Sequence, residues 1–191
     1  GLEARFNDYE AGSFSSTTSA AFSVDFAIGS VDGNARETVG TAYGYQIDLS
    51  TSFTGEDALS VSLDAGAGAS QLGELDLNSS GDTLIVDGIT YSFPLGEKAT
   101  VLFGDSTDGS ALYSTACVYG GFTNTLDDCG NFSSAFTSAT DGASLSASYD
   151  IGSGFTAAIG YSGEGTGNGL MTEAGADFFG GQIAYLSLIH I

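Results

Sequence analysis

Positive charge is nearly missing from this chain: three Lys and Arg stand against 24 Asp and Glu in 191 residues, a formal net charge of −21. Nucleic acid and anionic lipid headgroups are held by clustered basic side chains that neutralise phosphate and release counterions, so both drop out as partners. No window approaches the roughly 20 consecutive apolar residues that a membrane-spanning helix requires, which excludes a helical membrane protein. Tryptophan is absent and proline occurs once. With 14% charged and 42% hydrophobic residues the chain is not a disordered acidic tail. The one histidine, His190, cannot be built into a Ser-His-Asp or Cys-His set. The adjacent acids Glu56-Asp57 and Asp127-Asp128 are expected to be solvated turn residues rather than a glycosidase pair. No enzyme and no cofactor are expected. The two cysteines, Cys117 and Cys129, lack the Cys or His partners of a zinc site, so no metal is expected either. Both lie in a Gly, Ser, Thr, Asn and Asp-rich stretch, which favours a loop disulfide in an oxidising compartment over two unrelated thiols. The chain opens at Gly1 and its only methionine is Met171, from which a start upstream and a lost leader are expected.

What is abundant points to β structure. There are 29 Gly, about twice the ordinary ~7%, beside 13 Phe and nine Tyr. Period-2 alternation, the mark of a sheet with one greasy and one polar face, recurs in eight segments. Phe22, Val24, Phe26 and Ile28 alternate with Ser23, Asp25, Ala27 and Gly29, and Val39, Tyr43, Tyr45, Ile47 and Leu49 with Gly40, Ala42, Gly44, Gln46 and Asp48. The same pattern runs through Leu59–Leu63, Ile89–Phe93 and Val101–Phe103, where Leu102 interrupts it, then through Ala143–Ile151, Phe155–Tyr161 and, more weakly, Phe179–Tyr185.

The connections alternate in length. Tight turns are expected at Thr54–Asp57, Pro94–Glu97 and Gly152–Gly154, and long loops at Ser30–Thr38, Gly66–Gly88, Asp105–Gly142 and Gly163–Asp177. A transmembrane β-barrel has short turns on one side and long loops on the other, whereas a β-sandwich gives no reason for that regularity. Asp87-Gly88, flanked by Leu84-Ile85-Val86 and Ile89, reads as a type I′ hairpin tip within the second long loop. Periodicity alone leaves a membrane barrel and a soluble β domain both open. The polar face is built mainly of small residues rather than Lys, Glu and Arg, which favours an open lumen over a solvated surface.

The runs Glu10-Ala11-Gly12-Ser13-Phe14-Ser15-Ser16-Thr17-Thr18, Thr51-Ser52-Phe53-Thr54-Gly55-Glu56-Asp57-Ala58-Leu59, Val86-Asp87-Gly88-Ile89-Thr90-Tyr91-Ser92-Phe93-Pro94-Leu95-Gly96 and Phe103-Gly104-Asp105 resemble those of the cyanobacterial outer-membrane porins, a group placed in the carbohydrate-selective porin family. The likeness extends from about Glu10 to Tyr185. It implies an all-β fold, an antiparallel transmembrane β-barrel of which this chain is an N-terminal portion of about eight strands, with roughly twice that number in the intact barrel. Residues 1–14, with the helix-forming run Leu2-Glu3-Ala4-Arg5, become the end of a periplasmic helical or linker segment and 15–186 the partial barrel; separately, the collapse of alternation after Tyr185 sets 187–191 apart as a doubtful tail. The implied function is passive diffusion of small hydrophilic solutes, with sugars as the family label and inorganic ions including iron proposed for the cyanobacterial branch. Outer-membrane lipid, small solutes and inorganic ions are the expected partners, with a homotrimer as the expected assembly.

The third long loop draws the functional expectation, because in many porins the loop at that position folds back and narrows the lumen. Its Asp105, Asp108, Asp127, Asp128 and Asp141 are expected to line the constriction and favour cations. The competing reading is that they only keep an exposed loop soluble. Asp25, Asp48, Asp64 and Asp150 are expected to face the lumen, some of them at strand ends. The alternative function is a secreted, acidic, β-rich surface module that binds calcium or glycan at its loops.

Overall fold

A computed structural model describes residues 17–30, 32–33, 37–68, 72, 77, 80–107, 109–114, 142–164 and 169–185. Segments 1–14 and 187–191, both cysteines, and Asp108, Asp127, Asp128 and Asp141 lie outside the described residues.

Eight strands follow in chain order: β1 (Thr18–Gly29), β2 (Gly40–Thr51), β3 (Ala58–Gly68), β4 (Ile85–Leu95), β5 (Ala99–Asp105), β6 (Ala143–Gly152), β7 (Phe155–Gly163) and β8 (Asp177–Tyr185). Each pairs antiparallel with its sequence neighbours in one open sheet whose edges are β1 and β8. Each of the eight expected strands corresponds to one of these elements, with Val39 and Lys98, read as strand residues, falling one position outside β2 and β5. β-Branched and aromatic residues at every second position supply the propensity, and Gly, Ser and Asp supply the turns. The tightest turn shows the chemistry plainly: Gly152, Ser153 and Gly154 all have positive φ, so two of three positions take the one residue without a Cβ penalty.

Two expectations are corrected. Asp87-Gly88 is not a hairpin tip but lies inside β4, where Gly88 pairs with Ser62 and the register slips by one residue at Asp87. A bulge there keeps Val86 opposite Leu63 on the apolar face while retaining the ladder to β3, which a separate projecting hairpin would forfeit. Leu102 does not break the pattern either. It belongs to the polar face opposite Ser92 and Ser146, and it is buried.

Register carries the alternation across the whole sheet. One line of direct partners runs Thr18, Thr51, Leu59, Tyr91, Phe103, Leu145, Tyr161, Phe179. The adjacent line on the other face runs Ser19, Ser50, Ser60, Thr90, Gly104, Ser144, Ser162. A one-residue slip at any pair would have mixed the two faces.

The lines are oblique to the strand ends. Thr18 is the first residue of β1 at the tight-turn end, whereas Phe179 lies six residues from the turn end of β8 at Tyr185. The steps come between β3 and β4 and between β5 and β6, the pairs joined by the long connections 69–84 and 106–142, while tight turns hold their strands nearly level. At about 3.3 Å per residue and about 4.8 Å between strands, the climb is ~20 Å over ~34 Å, a strand inclination of about 30°. Strands that close into barrels tilt by about 35–45°. Strand lengths of 9–12 residues, with β5 shorter at seven, bracket the roughly 9–11 residues that cross a bilayer at a tilt.

Candidate functional site: a covered polar face and an uncovered apolar one

In an ordinary soluble sheet the large apolar side chains are buried and the polar face is wet. Here the arrangement is reversed. Phe26 is 79% exposed, Ile159 66% and Ile183 78%, and the other exposed large side chains on the strands share their face almost throughout. On the opposite face Ser146 and Ser162 are at most 2% exposed. Among the described residues the chain's own connections cover part of the polar side, while its β1 margin, with Ser23 and Asp25, stays exposed.

Two long connections do this. From the β3–β4 connection, Leu77 is buried and its backbone lies against Gly44 of β2, while the Ser80 hydroxyl accepts from the Gly66 amide at 3.0 Å and Asp82 N–H donates to the Gly66 carbonyl at 3.1 Å. From the β5–β6 connection, residues 109–114 lie along β6, β7 and β8. Gly109 donates its N–H to Ser162 Oγ at 2.6 Å and accepts from Ser146 Oγ at 2.7 Å. Contact at this range needs glycine on both sides: a Cβ on Gly160 would collide with the Gly109 carbonyl oxygen, and one on Gly109 would fall 2.6 Å from the Tyr161 nitrogen. Farther along, Tyr113 is buried against Ala158 and Phe178. Ser114 N–H donates to Gln182 Oε1 at 2.7 Å, and Gln182 Nε2 donates back to the Ser114 carbonyl at 3.1 Å. A cavity of about 310 Å³ adjoins this segment at the tight-turn end, lined among others by Lys98, Thr100, Ser114, Ser148, Asp150 and Thr156.

The acids expected to face a lumen divide. Asp25, Asp48 and Asp64 all project from the polar face of β1, β2 and β3. Asp25 is exposed, Asp48 accepts from Gln46 Nε2 at 2.9 Å and Ser62 Oγ at 2.7 Å, and Asp64 is buried. Asp150 stands at the strand end, where its carboxylate accepts the Gly152 amide at 2.8 Å and caps the tight turn. Asp105 is the last residue of β5, opposite Ile89, in register with the apolar face. Among the described residues no three His, Cys, Asp or Glu stand close enough to hold a metal ion.

A second set of carboxylates escaped sequence reasoning. Three tyrosines of the apolar face each donate their phenol to an aspartate near a strand end: Tyr43 to Asp82 at 2.7 Å, Tyr91 to Asp57 at 2.7 Å, and Tyr161 to Asp177. Asp57 is therefore not the solvated turn residue expected. It is 6% exposed, and its Oδ1 accepts from the Ser52 hydroxyl, from the Phe53 and Thr54 amides and from the Thr54 hydroxyl. The Ser52 hydroxyl, then the Tyr91 phenol, hold this carboxyl far below the usual carboxylate range, against the opposing effect of burial. Tyr91 and Tyr161 stand on one register line, yet Tyr91 is tied to a tight turn and Tyr161 to a residue at the long-loop end. Aromatic pairs populate both rims, Phe26 with Tyr43 and Tyr161 with Phe179 toward the long loops, Phe53 with Tyr91 and Phe155 with Tyr185 toward the turns.

Chemically the molecule offers two surfaces of opposite kind. One is a wall of hydroxyls, small residues and carboxylates under a partial lid of its own backbone. The other is a broad apolar face, including a groove of about 490 Å³ lined by Val101, Leu145, Ile159, Met171 and Phe179, with tyrosines at its margins whose phenols are satisfied by carboxylates. No family model, curated protein or solved structure matches the chain.

Proposed function

We propose that this chain is a portion of an outer-membrane porin, with the apolar face toward lipid and the small polar face lining a water-filled, acidic passage for small hydrophilic solutes. The single observation that carries this reading is the reversal of burial: large apolar side chains are exposed on six of the eight strands and half-buried on β2 and β3, and the chain spends its own loops on the polar side. Lipid supplies no hydrogen bonds, so a face turned to it must carry apolar side chains and every backbone group must be paired within the sheet. The oblique register supports the tilt that closure needs, and the open edges β1 and β8 are where further strands would join. Tyrosines with an apolar body and a hydrogen-bonded tip suit the two membrane interfaces. Asp25, Asp48 and Asp64 on the lumen side, and Asp108, Asp127, Asp128 and Asp141 in the third long loop, then give a negative field that concentrates cations. Iron and other inorganic cations fit that field better than anions, and sugars fit its hydroxyls.

The test is reconstitution of the full-length chain into a planar bilayer, together with gel migration before and after boiling in detergent. Stepwise conductance and migration that shifts only on boiling are expected. A chain that stays monomeric without detergent, inserts into no vesicle and migrates identically in both states would refute the porin reading. In that case the secreted binding module would be pursued through calcium and glycan titrations.

A further inference from the structure

The third long loop enters the polar face at a definite place, and the contacts there are of an uncommon kind. A loop resting on a wall usually touches it through side chains. Here the backbone of Gly109 sits between two hydroxyls of adjacent strands, and the backbone of Ser114 is held by both ends of one carboxamide. Gln182 thus replaces a strand: its acceptor and donor satisfy the N–H and C=O of one residue, as a neighbouring ladder would. Ser114 Oγ adds a 2.7 Å bond to Thr156 Oγ1. Between the two backbone anchors Ser110 is 2% exposed and Tyr113 is buried against Ala158 and Phe178. Five hydrogen bonds and a packed aromatic hold a six-residue span to strands β6, β7 and β8.

We infer that Gln182 is a positioning residue which, with the glycine seat at Gly160, clamps residues 109–114 to the wall as a fixed narrowing of the passage rather than a mobile gate. This inference rests on the porin reading. A packed layer occupies about 10 Å measured from a sheet, so a clamped segment removes a substantial part of a lumen one domain wide. Freed, the segment would sample the opening on the nanosecond-to-microsecond scale of loops and appear as added open-channel noise.

Two variants separate the clamp from the seat. Gln182→Ala removes both bonds to Ser114, and Gly160→Ala drives the Gly109 backbone off the wall. In planar bilayers each is expected to change single-channel conductance by roughly 1.5- to 2-fold, with greater open-channel noise. Hydrogen exchange on the folded protein supplies a readout independent of conduction: the Ser114 amide should be protected in the parent chain and should exchange at least tenfold faster in Gln182→Ala. Gln182→Glu, which keeps the acceptor and loses the donor, should fall between parent and Ala. If the parent conducts and both variants give its conductance and noise unchanged, the inference is overturned. If the Ser114 amide is unprotected in the parent, the clamp does not exist, whatever the channel does. If the amide shows the expected protection but no form of the protein conducts, the porin reading fails while the clamp stands as a structural fact.

Discussion

Ile159 offers the sharpest test of what covers the apolar face. It is the fifth of nine residues in β7, its direct partners are Ala147 and Gly181, and it is 66% exposed. Burying an aliphatic side chain fully is worth about 1.5–3 kcal/mol, so with only a third of its surface covered by protein Ile159 has about 0.5–1 kcal/mol of contact to lose within the chain. Any larger effect of Ile159→Arg must come from the medium. In lipid, Arg near the bilayer midplane should cost about 2–4 kcal/mol, and the same change at Ile151, near the turn end of β6, only about 0–1 kcal/mol. At about 1.4 kcal/mol per tenfold change, a cost near 3 kcal/mol lowers the folding equilibrium more than a hundredfold. Equilibrium unfolding by denaturant in lipid vesicles reads both variants against the parent. A water-facing sheet would lose no more than that contact, about 1 kcal/mol or less at either position. A protein-covered face would charge both positions heavily with no grading by depth. Either result would refute a lipid-facing sheet.

Three further outcomes are expected. Asp57→Asn should destabilise the chain at neutral pH and flatten its acid limb: the folded carboxyl titrates below the ~3.9 it has unfolded, so its contribution is complete above that pH and is lost as pH falls below about 4. Unfolding midpoints taken from pH 7 to 3 check this, and an Asn variant that keeps the parent's acid limb contradicts it. If the long connections of the proposed porin face outward and its tight turns the periplasm, an impermeant thiol reagent applied to intact cells should label a Cys at Asp32 in the β1–β2 connection and miss one at Glu56 in a tight turn, and the reverse pattern would invert that orientation. The reconstituted parent should be cation-selective at low salt, less so as the Debye length shrinks from ~8 Å toward ~3 Å at 1 M, and Asp127→Asn with Asp128→Asn should move its reversal potential toward zero; an anion-selective parent or an unmoved potential assigns those loop acids to solubility alone.

The eight strands were legible because lateral pairing needs nothing beyond alternation and turn residues, both local. Two local signals misled. Leu102 breaks the pattern by hydropathy but keeps it by position, since a polar face roofed by a loop accepts a leucine as readily as a serine. Asp87-Gly88 has the composition of a hairpin tip, but the ladder to β3 continues past it. The covered face was legible only in outline. Gln182 meets Ser114 across 68 positions and Ser162 meets Gly109 across 53, distances at which sequence spacing carries no information. The trace that existed was compositional: Ser144, Ser146 and Ser148 on β6 facing Ser162, Gly160 and Ala158 on β7 form a wall low enough for backbone to approach. The role of Asp57 was hidden for a similar reason, because its strongest partners include a phenol 34 residues away.

The oblique register has a consequence for anything that moves past the polar face. The line Ser19, Ser50, Ser60, Thr90, Gly104, Ser144, Ser162 climbs from the turn rim toward the loop rim as it passes from strand to strand, and six of its seven members carry a hydroxyl. In the proposed pore this line is a spiral ramp. A hydrated solute descending the axis would exchange water for hydroxyl contacts strand by strand and turn as it travels, in the manner of a bead following a thread. The ramp's upper flights, at Ser144 and Ser162, run beneath the clamped segment, so partners read off the sheet as neighbours would be met by a permeating solute at successive times.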